Sequence, residues 1–274
     1  MNTYTKRRRG GAQSSRAEKV LVRHCHGLAE LSACFEIQRA VWGSADADLT
    51  PLPLFVVAAE TGGQVLGAFC DDRIIGFTLA FAGLHGKSPF LHSHMTAVLD
   101  GWCDRGIGRS LKLFQRDDAL ARGIHLIEWT FDPLQIKNAY FNLVRLGAIA
   151  TRFVANMYGT LSSPLQGGLP TDRLVGEWHL ESACVRRAIA DRSGAKHGTA
   201  VPRGRGRGAK VARIRVPPEL AAARNTRPDE ALRMQAEIRQ EFEYWLNRGY
   251  AATSIKVSGQ GGEYLLEPWT KGED

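Results

Sequence analysis

Two glycines one residue apart mark the segment WCDRGIGRSLK, residues 102–112. A glycine turn that leads into a helix points several backbone N–H groups and the positive end of the helix dipole at one place, which suits a phosphate group. A sharp connection between a strand and a helix needs glycine as well. The spacing of Gly106 and Gly108 therefore supports phosphate binding and a plain turn about equally.

Two histidines, His92 and His94, lie two residues apart in LHSHMTAV (91–98). Side chains alternate along a strand, so the spacing predicts that both face the same side of it. Imidazole titrates near neutral pH and is the first side chain to consider as a general base. Rim histidines with structural hydrogen bonds explain the pair equally well, and a metal pair lacks a third ligand at useful spacing.

Three carboxylates are further candidates. Glu128 and Asp132 alternate with Trp129 in IHLIEWTFDP, which places them on the strand face opposite to the indole. They suit a proton relay or a cationic acceptor, although Asp132 is also typical of a turn cap. Asp172, in PTDRL, is either a substrate contact or part of a salt-bridged loop.

These residues lie in a predicted element order β-α-β-β-β-α-β-α, with a Pro-containing loop after the first helix and the last helix at 138–148. The order favours a mixed sheet with helices on its faces. A strand follows in 170–180, and 228–249 has the apolar spacing of an amphipathic helix, which predicts packing on the core or a homodimer contact. Strands are predicted before this helix, at 212–217, and twice after it.

Composition predicts four segments. We expect a disordered basic tail (1–18), a main domain (19–180), an Arg/Gly-rich linker (181–211) and a C-terminal β-α-β-β extension packed on the core (212–274). The net charge of +8 comes from two segments, since residues 1–18 carry five basic and one acidic side chain, and residues 186–215 carry ten and one. The body of the protein is therefore acidic.

The five cysteines are scattered and odd in number, so they predict neither a disulfide framework nor a zinc site. No apolar run approaches the roughly 18 residues of a membrane helix. The basic N-terminus lacks the apolar segment of a signal peptide. We therefore expect a cytoplasmic protein without a membrane partner.

Residues 94–148, HMTAVLDGWCDRGIGRSLKLFQRDDALARGIHLIEWTFDPLQIKNAYFNLVRLGA, resemble the core of the GNAT superfamily of N-acetyltransferases. There a strand ending in a V-x-P-x-Y-R-G-x-G-x-G loop leads into the helix that holds the coenzyme A pyrophosphate. With the elements before it, the resemblance spans about residues 19–160. LHSHMTAV, LKLFQR, WTFDPLQIKNAYFNLVRLGA and LPTDRL resemble a branch of predicted acetyltransferases with a C-terminal extension.

The resemblance implies a mixed, mostly antiparallel central sheet flanked by helices, with a C-terminal αβ extension. It implies acetyl-CoA or another acyl-CoA as cofactor, and transfer of the acyl group to an amine of a small molecule by direct attack in a ternary complex. Asp132 and Asp172 are the implied substrate contacts. The implied cofactor-binding residues are Ala97, Val98, Arg105, Gly106, Ile107, Gly108, Arg109, Ser110, Asn138 and Asn142.

The same resemblance assigns catalytic candidates. His92, His94 and Glu128 are candidates for the general base. The usual tyrosine position of the family falls on Leu143, so Tyr140 is the candidate acid. Asn142 is the alternative, and a thiolate is a good leaving group that can also depart without an acid.

The glycine loop departs from the family pattern. Asp100 stands where proline is common, Cys103 where the family has Arg or Gln, and Asp104 where it often has Gly. Two carboxylates beside a pyrophosphate weaken binding unless Arg105 and Arg109 offset them. The alternative is thus a catalytically weakened GNAT-fold protein whose basic arms, TKRRRGG and PRGRGRGAK, bind nucleic acid.

Overall fold

The computed structural model describes residues 19–43, 48–159, 168–191, 211–259 and 261–270. The predicted basic tail and most of the predicted linker lie outside these ranges. The strands are β1 (Val20–His24), β2 (Gln64–Cys70), β3 (Arg73–His85), β4 (Ser88–Val98), β5 (Leu126–Phe131), β6 (Ile149–Val154), β7 (Arg173–His179), β8 (Ala212–Val216), β9 (Tyr250–Ser258) and β10 (Gly261–Pro268). The helices are α1 (Gly27–Trp42), α2 (Leu52–Glu60), α3 (Ile107–Ala121), α4 (Ile136–Tyr140), α5 (Ala183–Ala190), α6 (Glu219–Thr226) and α7 (Pro228–Leu246).

The ten described strands form one sheet in the order β1-β2-β3-β4-β5-β7-β6-β9-β10-β8. Strands β4 and β5 pair in parallel, whereas the other pairings between described strands are antiparallel. The parallel pair follows from the connection through α3, because parallel neighbours need a crossover. The predicted fold class, a mostly antiparallel mixed sheet flanked by helices, is confirmed.

Helices cover both faces of the first half of the sheet. Leu31 of α1 and Phe55 of α2 pack with Phe77 of β3 on one face. Ile107 and Leu111 of α3 pack on the other face. Because β2 lies between these layers, all seven of its residues are buried. The glycine loop before α3 and the helices α1 and α2 therefore border opposite faces of the sheet.

The C-terminal extension continues the sheet. Strand β9 pairs with β6 at Ala252 and Ala150, and the core of this half includes Phe242 of α7 and Tyr264 of β10. The Tyr264 hydroxyl donates a hydrogen bond to the Pro133 carbonyl at 2.7 Å, just beyond β5. The extension thus shares one core with the strands that border the site.

Three local predictions differ from the structure. Helix α2 occupies a segment that its prolines predicted to be a loop, because Pro51 and Pro53 fall at the first turn, where the missing N–H is tolerated. Helix α5 lies inside the predicted linker and packs through Val185. The helix predicted at 138–148 begins at Ile136 and ends in a π-helical turn, Phe141–Arg145.

None of the helices in the described ranges combines the length and apolar character that crossing a bilayer requires.

Candidate active site

A cleft of about 850 Å³ opens where β4 and β5 part. The two strands pair at Leu91 with Ile127 and at His92 with Glu128. Beyond these pairs the strands separate, and the residues that follow, from Ser93 on β4 and Trp129 on β5, line the cleft. The cleft therefore begins inside the sheet and extends from α3 on one face to the α1 side on the other.

The glycine loop forms one end of the cleft. Gly106 has a φ of 81°, a left-handed conformation that favours glycine, so the turn itself requires this residue. Gly108 lies in the first turn of α3, and an added Cβ would meet no atom closer than Val98 Cγ2 at 4.0 Å. Neither backbone nor packing requires glycine there. Because Gly108 has no side chain, the N–H groups of the helix terminus are open to the cleft.

Two arginines and one carboxylate of the loop region line the same cleft. Arg109 and Arg145 line the cleft together with Asp104. Cys103 lines it as well, and partial desolvation and the charges of Asp100 and Asp104 raise the pKa of its thiol. The Arg109 guanidinium also donates a hydrogen bond to the Ile189 carbonyl at 2.7 Å. Cationic side chains and the N-terminal turn of α3 therefore lie together at this end of the cleft, despite the departures from the family pattern.

A β-bulge carries His94 into the cleft. Strand β3 pairs Ala80 with Ser93 and Leu79 with Met95, which leaves His94 as the extra residue. Bulges redirect side chains, and here His94 lines the cleft whereas His92 does not. The His94 Nε2 lies 3.1 Å from the hydroxyl oxygen of Thr50. His94 is exposed to the cleft, and partial desolvation lowers the pKa of its ring, which favours the neutral form at pH 7.

Asp132 lines the cleft and also caps the turn after β5. Its Oδ1 accepts the Leu134 N–H at 2.8 Å, and its Oδ2 accepts a hydrogen bond from Arg224 of α6 at 3.2 Å. Both side chains of this ion pair are about 10% exposed. The turn-cap explanation therefore accounts for the Leu134 hydrogen bond of Asp132, while the side chain also lines the cleft.

Asp172 lies behind the cleft wall. It is 2% exposed, and Arg239 of α7 holds its two carboxylate oxygens at 2.9 and 3.0 Å. The adjacent Arg173 lines the cleft, with its guanidinium 5.6 Å from the ring centre of Tyr158. Burial lowers the pKa of Arg173, and Asp132 partly offsets this shift. The salt-bridge explanation holds for Asp172, which supports the wall rather than lining it.

The other catalytic candidates lie outside the cleft lining. Glu128 contacts His85 at 3.0 Å and Arg152 at 3.7 Å. His92 is half-buried, and desolvation and the nearby His94 lower its pKa. Tyr140 packs against the core of the second half.

Most of the cofactor-binding candidates are brought together. Those that line the cleft are Val98, Gly106, Ile107, Gly108, Arg109, Asn138 and Asn142. Ala97 is buried against the α1 and α2 side. Arg105 and Ser110 border a separate depression of about 370 Å³, where Arg105 lies 4.8 Å from the Trp102 ring centre.

Sequence reasoning missed Lys112. This lysine of α3 lines the cleft, is 4% exposed, and hydrogen-bonds to Ser93 and Gln115. A signal was present: Gly108, Lys112, Gln115 and Ala119 follow the i, i+4, i+7, i+11 spacing of one helix face. That face turns inward, so the lysine is buried.

Within the described ranges, no three His, Cys, Asp or Glu side chains are placed to hold a metal ion. The His-x-His pair therefore has no third ligand there. All five cysteines of the chain lie in the described ranges, and none of them forms a disulfide.

The mostly antiparallel sheet, the diverging parallel pair and the glycine turn before α3 match the arrangement that the GNAT resemblance implies. Solved N-acetyltransferases resemble this chain at low identity. The ribosomal-protein-S18-alanine N-acetyltransferase from Escherichia coli is 14% identical with a TM-score of 0.48, and the match covers 60% of this chain and 96% of that one. An N-acetyltransferase from Staphylococcus aureus Mu50 is 12% identical with a TM-score of 0.48, covering 60% and 99%.

A chain of the NatC complex bound to Gag peptide and CoA is 14% identical with a TM-score of 0.46, and the match covers 59% of this chain and 98% of that one. No protein-family model matches the sequence, and no curated protein matches it.

Proposed function

We propose that the protein transfers an acyl group from an acyl-CoA to an amine by direct attack in a ternary complex. The observation that carries this proposal is the cleft through the sheet, with an open helix terminus on one face and the neutral His94 on the other. A donor and an acceptor can then meet from opposite faces where β4 and β5 part. The bound donor supplies an acyl group activated as a thioester.

In this proposal, residues on one face of the sheet bind the donor and His94 on the other face acts as the base. The N–H groups of the α3 terminus, Arg109 and Arg145 hold the donor phosphates. The amide side chains of Asn138 and Asn142 border the path from the phosphates to the sheet. His94 Nε2 takes the proton that the amine loses, because the neutral ring has a free lone pair at pH 7.

We infer a small-molecule amine as acceptor. We assign to the acceptor the end of the cleft that is lined by Asp132, Tyr158 and Arg173. The Asp132 carboxylate and the Tyr158 ring suit a cationic amine. The alternative, a weakened enzyme with nucleic-acid-binding arms, depends on residues 1–18 and 200–210, which lie outside the described ranges. Five dispersed cysteines in the thiol form favour a reducing compartment, and we infer the cytoplasm.

Replacing Gly108 by valine tests the donor site. A side chain at this position fills the open space over the helix terminus, so we expect binding of CoA to weaken about 100-fold or more in isothermal titration. Gly101→Val is the matched control, because Gly101 lies in the same loop, also has open space around it, and does not line the cleft. Equal affinities in the two variants would contradict the assignment.

Replacing His94 by glutamine tests the base. We expect kcat/KM to fall about 100-fold at pH 7. In the wild-type protein, activity should be lost as the pH falls through the lowered pKa of His94, below the ordinary value of about 6.5, because the protonated ring cannot accept a proton. His92→Gln is the control that distinguishes the two histidines of β4. A larger loss of kcat/KM in His92→Gln than in His94→Gln would contradict the assignment of His94 as the base.

A further inference from the structure

Lys112 is a buried amine at the closed end of the cleft. Its Nζ donates hydrogen bonds to Ser93 Oγ at 3.1 Å and to Gln115 Oε1 at 2.6 Å. The same atom lies 4.1 Å from the ring centre of Trp129 and 5.4 Å from that of Trp178. Its described neighbours are therefore a hydroxyl, an amide and two indoles.

The described residues place no carboxylate beside this amine, and that has a consequence for its proton. A buried ammonium that is not paired with a carboxylate is costly, and its pKa falls as a result. Burial lowers the pKa of Lys112 to about 7. The charge of Lys112 contributes to the lowered pKa of His92 on β4. At neutral pH the amine can both hold and release a proton.

Lys112 also occupies a distinctive place along the cleft. Ser93 is the first residue of β4 after the last pair with β5, and Trp129 is the first of β5. Lys112 contacts both, so it marks the point where the strands begin to part. It reaches this point from α3, the helix whose N-terminus opens to the donor end, whereas His94 contacts Thr50 and Phe81 on the other face.

The other candidate proton donors near the donor end of the cleft are less suited than Lys112 to release a proton at neutral pH. Arginines 109 and 145 do not release a proton at any physiological pH. Leu143, at the usual tyrosine position of the resembled family, is buried and apolar, and Tyr140 packs against the core. The Cys103 thiol has a raised pKa, which opposes release of its proton.

We propose that Lys112 is a catalytic residue that protonates the departing sulfur of the acyl donor. This inference rests on the proposed function. The acceptor reacts as a neutral amine: the nitrogen–carbon bond forms, the carbon–sulfur bond breaks, and its electron pair goes to sulfur. Lys112 Nζ gives a proton to that sulfur, and His94 takes the proton that the nitrogen loses. After product release, water returns a proton to Lys112 and removes one from His94.

The first test measures ionisation of the thiol of bound CoA, which does not depend on turnover. Thiolate absorbance is titrated in the CoA complex, with the complex of desulfo-CoA subtracted. The ammonium form of Lys112 is present near and below pH 7 and stabilises a thiolate beside it. At pH 7 the ratio of bound thiolate to thiol should therefore be about 10-fold or more higher in the wild-type complex than in Lys112→Met. Lys137→Met, at an exposed lysine of α4 outside the cleft lining, is the matched control.

The second test is the pH profile of kcat/KM for the donor. The wild-type value should decline above about pH 7, because the ammonium form is the acid. Lys112→Met should lose this decline and lower kcat about 100-fold at pH 7. If CoA binds but thiol ionisation and pH profile are the same in both proteins, the role of Lys112 is overturned while the proposed function stands. If the wild-type protein binds no CoA, both are overturned.

Discussion

Replacing Arg239 by methionine is expected to destabilise the protein by about 3–5 kcal/mol, because it leaves the buried Asp172 carboxylate without its cationic partner. Asp172 is 2% exposed, and Arg239 contacts both of its oxygens. The loss should appear in urea unfolding as a lower midpoint with an unchanged slope.

Two further variants separate this ion pair from general effects on α7. Arg233→Met removes an exposed arginine from the same helix and should change stability by no more than about 0.5 kcal/mol. Asp172→Asn combined with Arg239→Met removes the buried charge and should recover part of the loss. Equal destabilisation by Arg233→Met and Arg239→Met would contradict the argument.

The same pair connects the C-terminal extension to the cleft. Asp172 Oδ1 accepts the Asn156 N–H at 2.9 Å, and the neighbouring Thr171 hydroxyl accepts the Tyr158 N–H at 2.8 Å. Tyr158 lines the acceptor end of the cleft. Loss of the Arg239 contact should therefore loosen this wall more than the glycine loop, and the KM for the acceptor should rise more than the KM for the donor.

Much of the fold was predictable because its signals are local. The β2–β3 hairpin follows from two β-rich runs joined by Asp71 and Asp72, and Asp71 has the positive φ of 51° that such a turn uses. Helix α3 follows from its apolar spacing and from Gly123, whose φ of 72° ends it. The glycine loop was recognised because strand, turn and helix are contiguous in the chain.

The site was less predictable because its geometry depends on contacts between distant segments. The spacing of His92 and His94 predicts one shared environment, but the bulge opposite Leu79 and Ala80 admits only His94 to the cleft. Asp172 and Arg239 are 67 residues apart, so no local pattern pairs them.

The burial of Lys112 is unpredictable from the sequence for a different reason. Composition predicts that Lys112 lies at the surface, since lysine is almost never fully buried. Only the inward turn of its helix face overrides that expectation, and the face is defined by a sheet assembled from the whole chain. Positions of this kind, where a local rule fails, are those most often used for function.

The stability of the wild-type protein is expected to rise with pH above neutrality because of this lysine. Lys112 has a pKa of about 7 in the folded protein and an ordinary value of 10.5 when unfolded. Between these values the unfolded chain binds one more proton than the folded protein, so stability increases with pH. Below pH 7 both states are protonated and the full cost of burying the ammonium remains.

Lys112→Met isolates this contribution, because methionine has a similar length and carries no proton. The stability of Lys112→Met relative to the wild-type protein should fall by about 2 kcal/mol between pH 7 and pH 9, measured by urea unfolding at each pH. Lys137→Met should show no such change. A difference independent of pH would mean that the amine titrates alike in both states. A folded and stable Lys112→Met protein also ensures that altered thiol ionisation reports the missing proton donor and not a collapsed cleft.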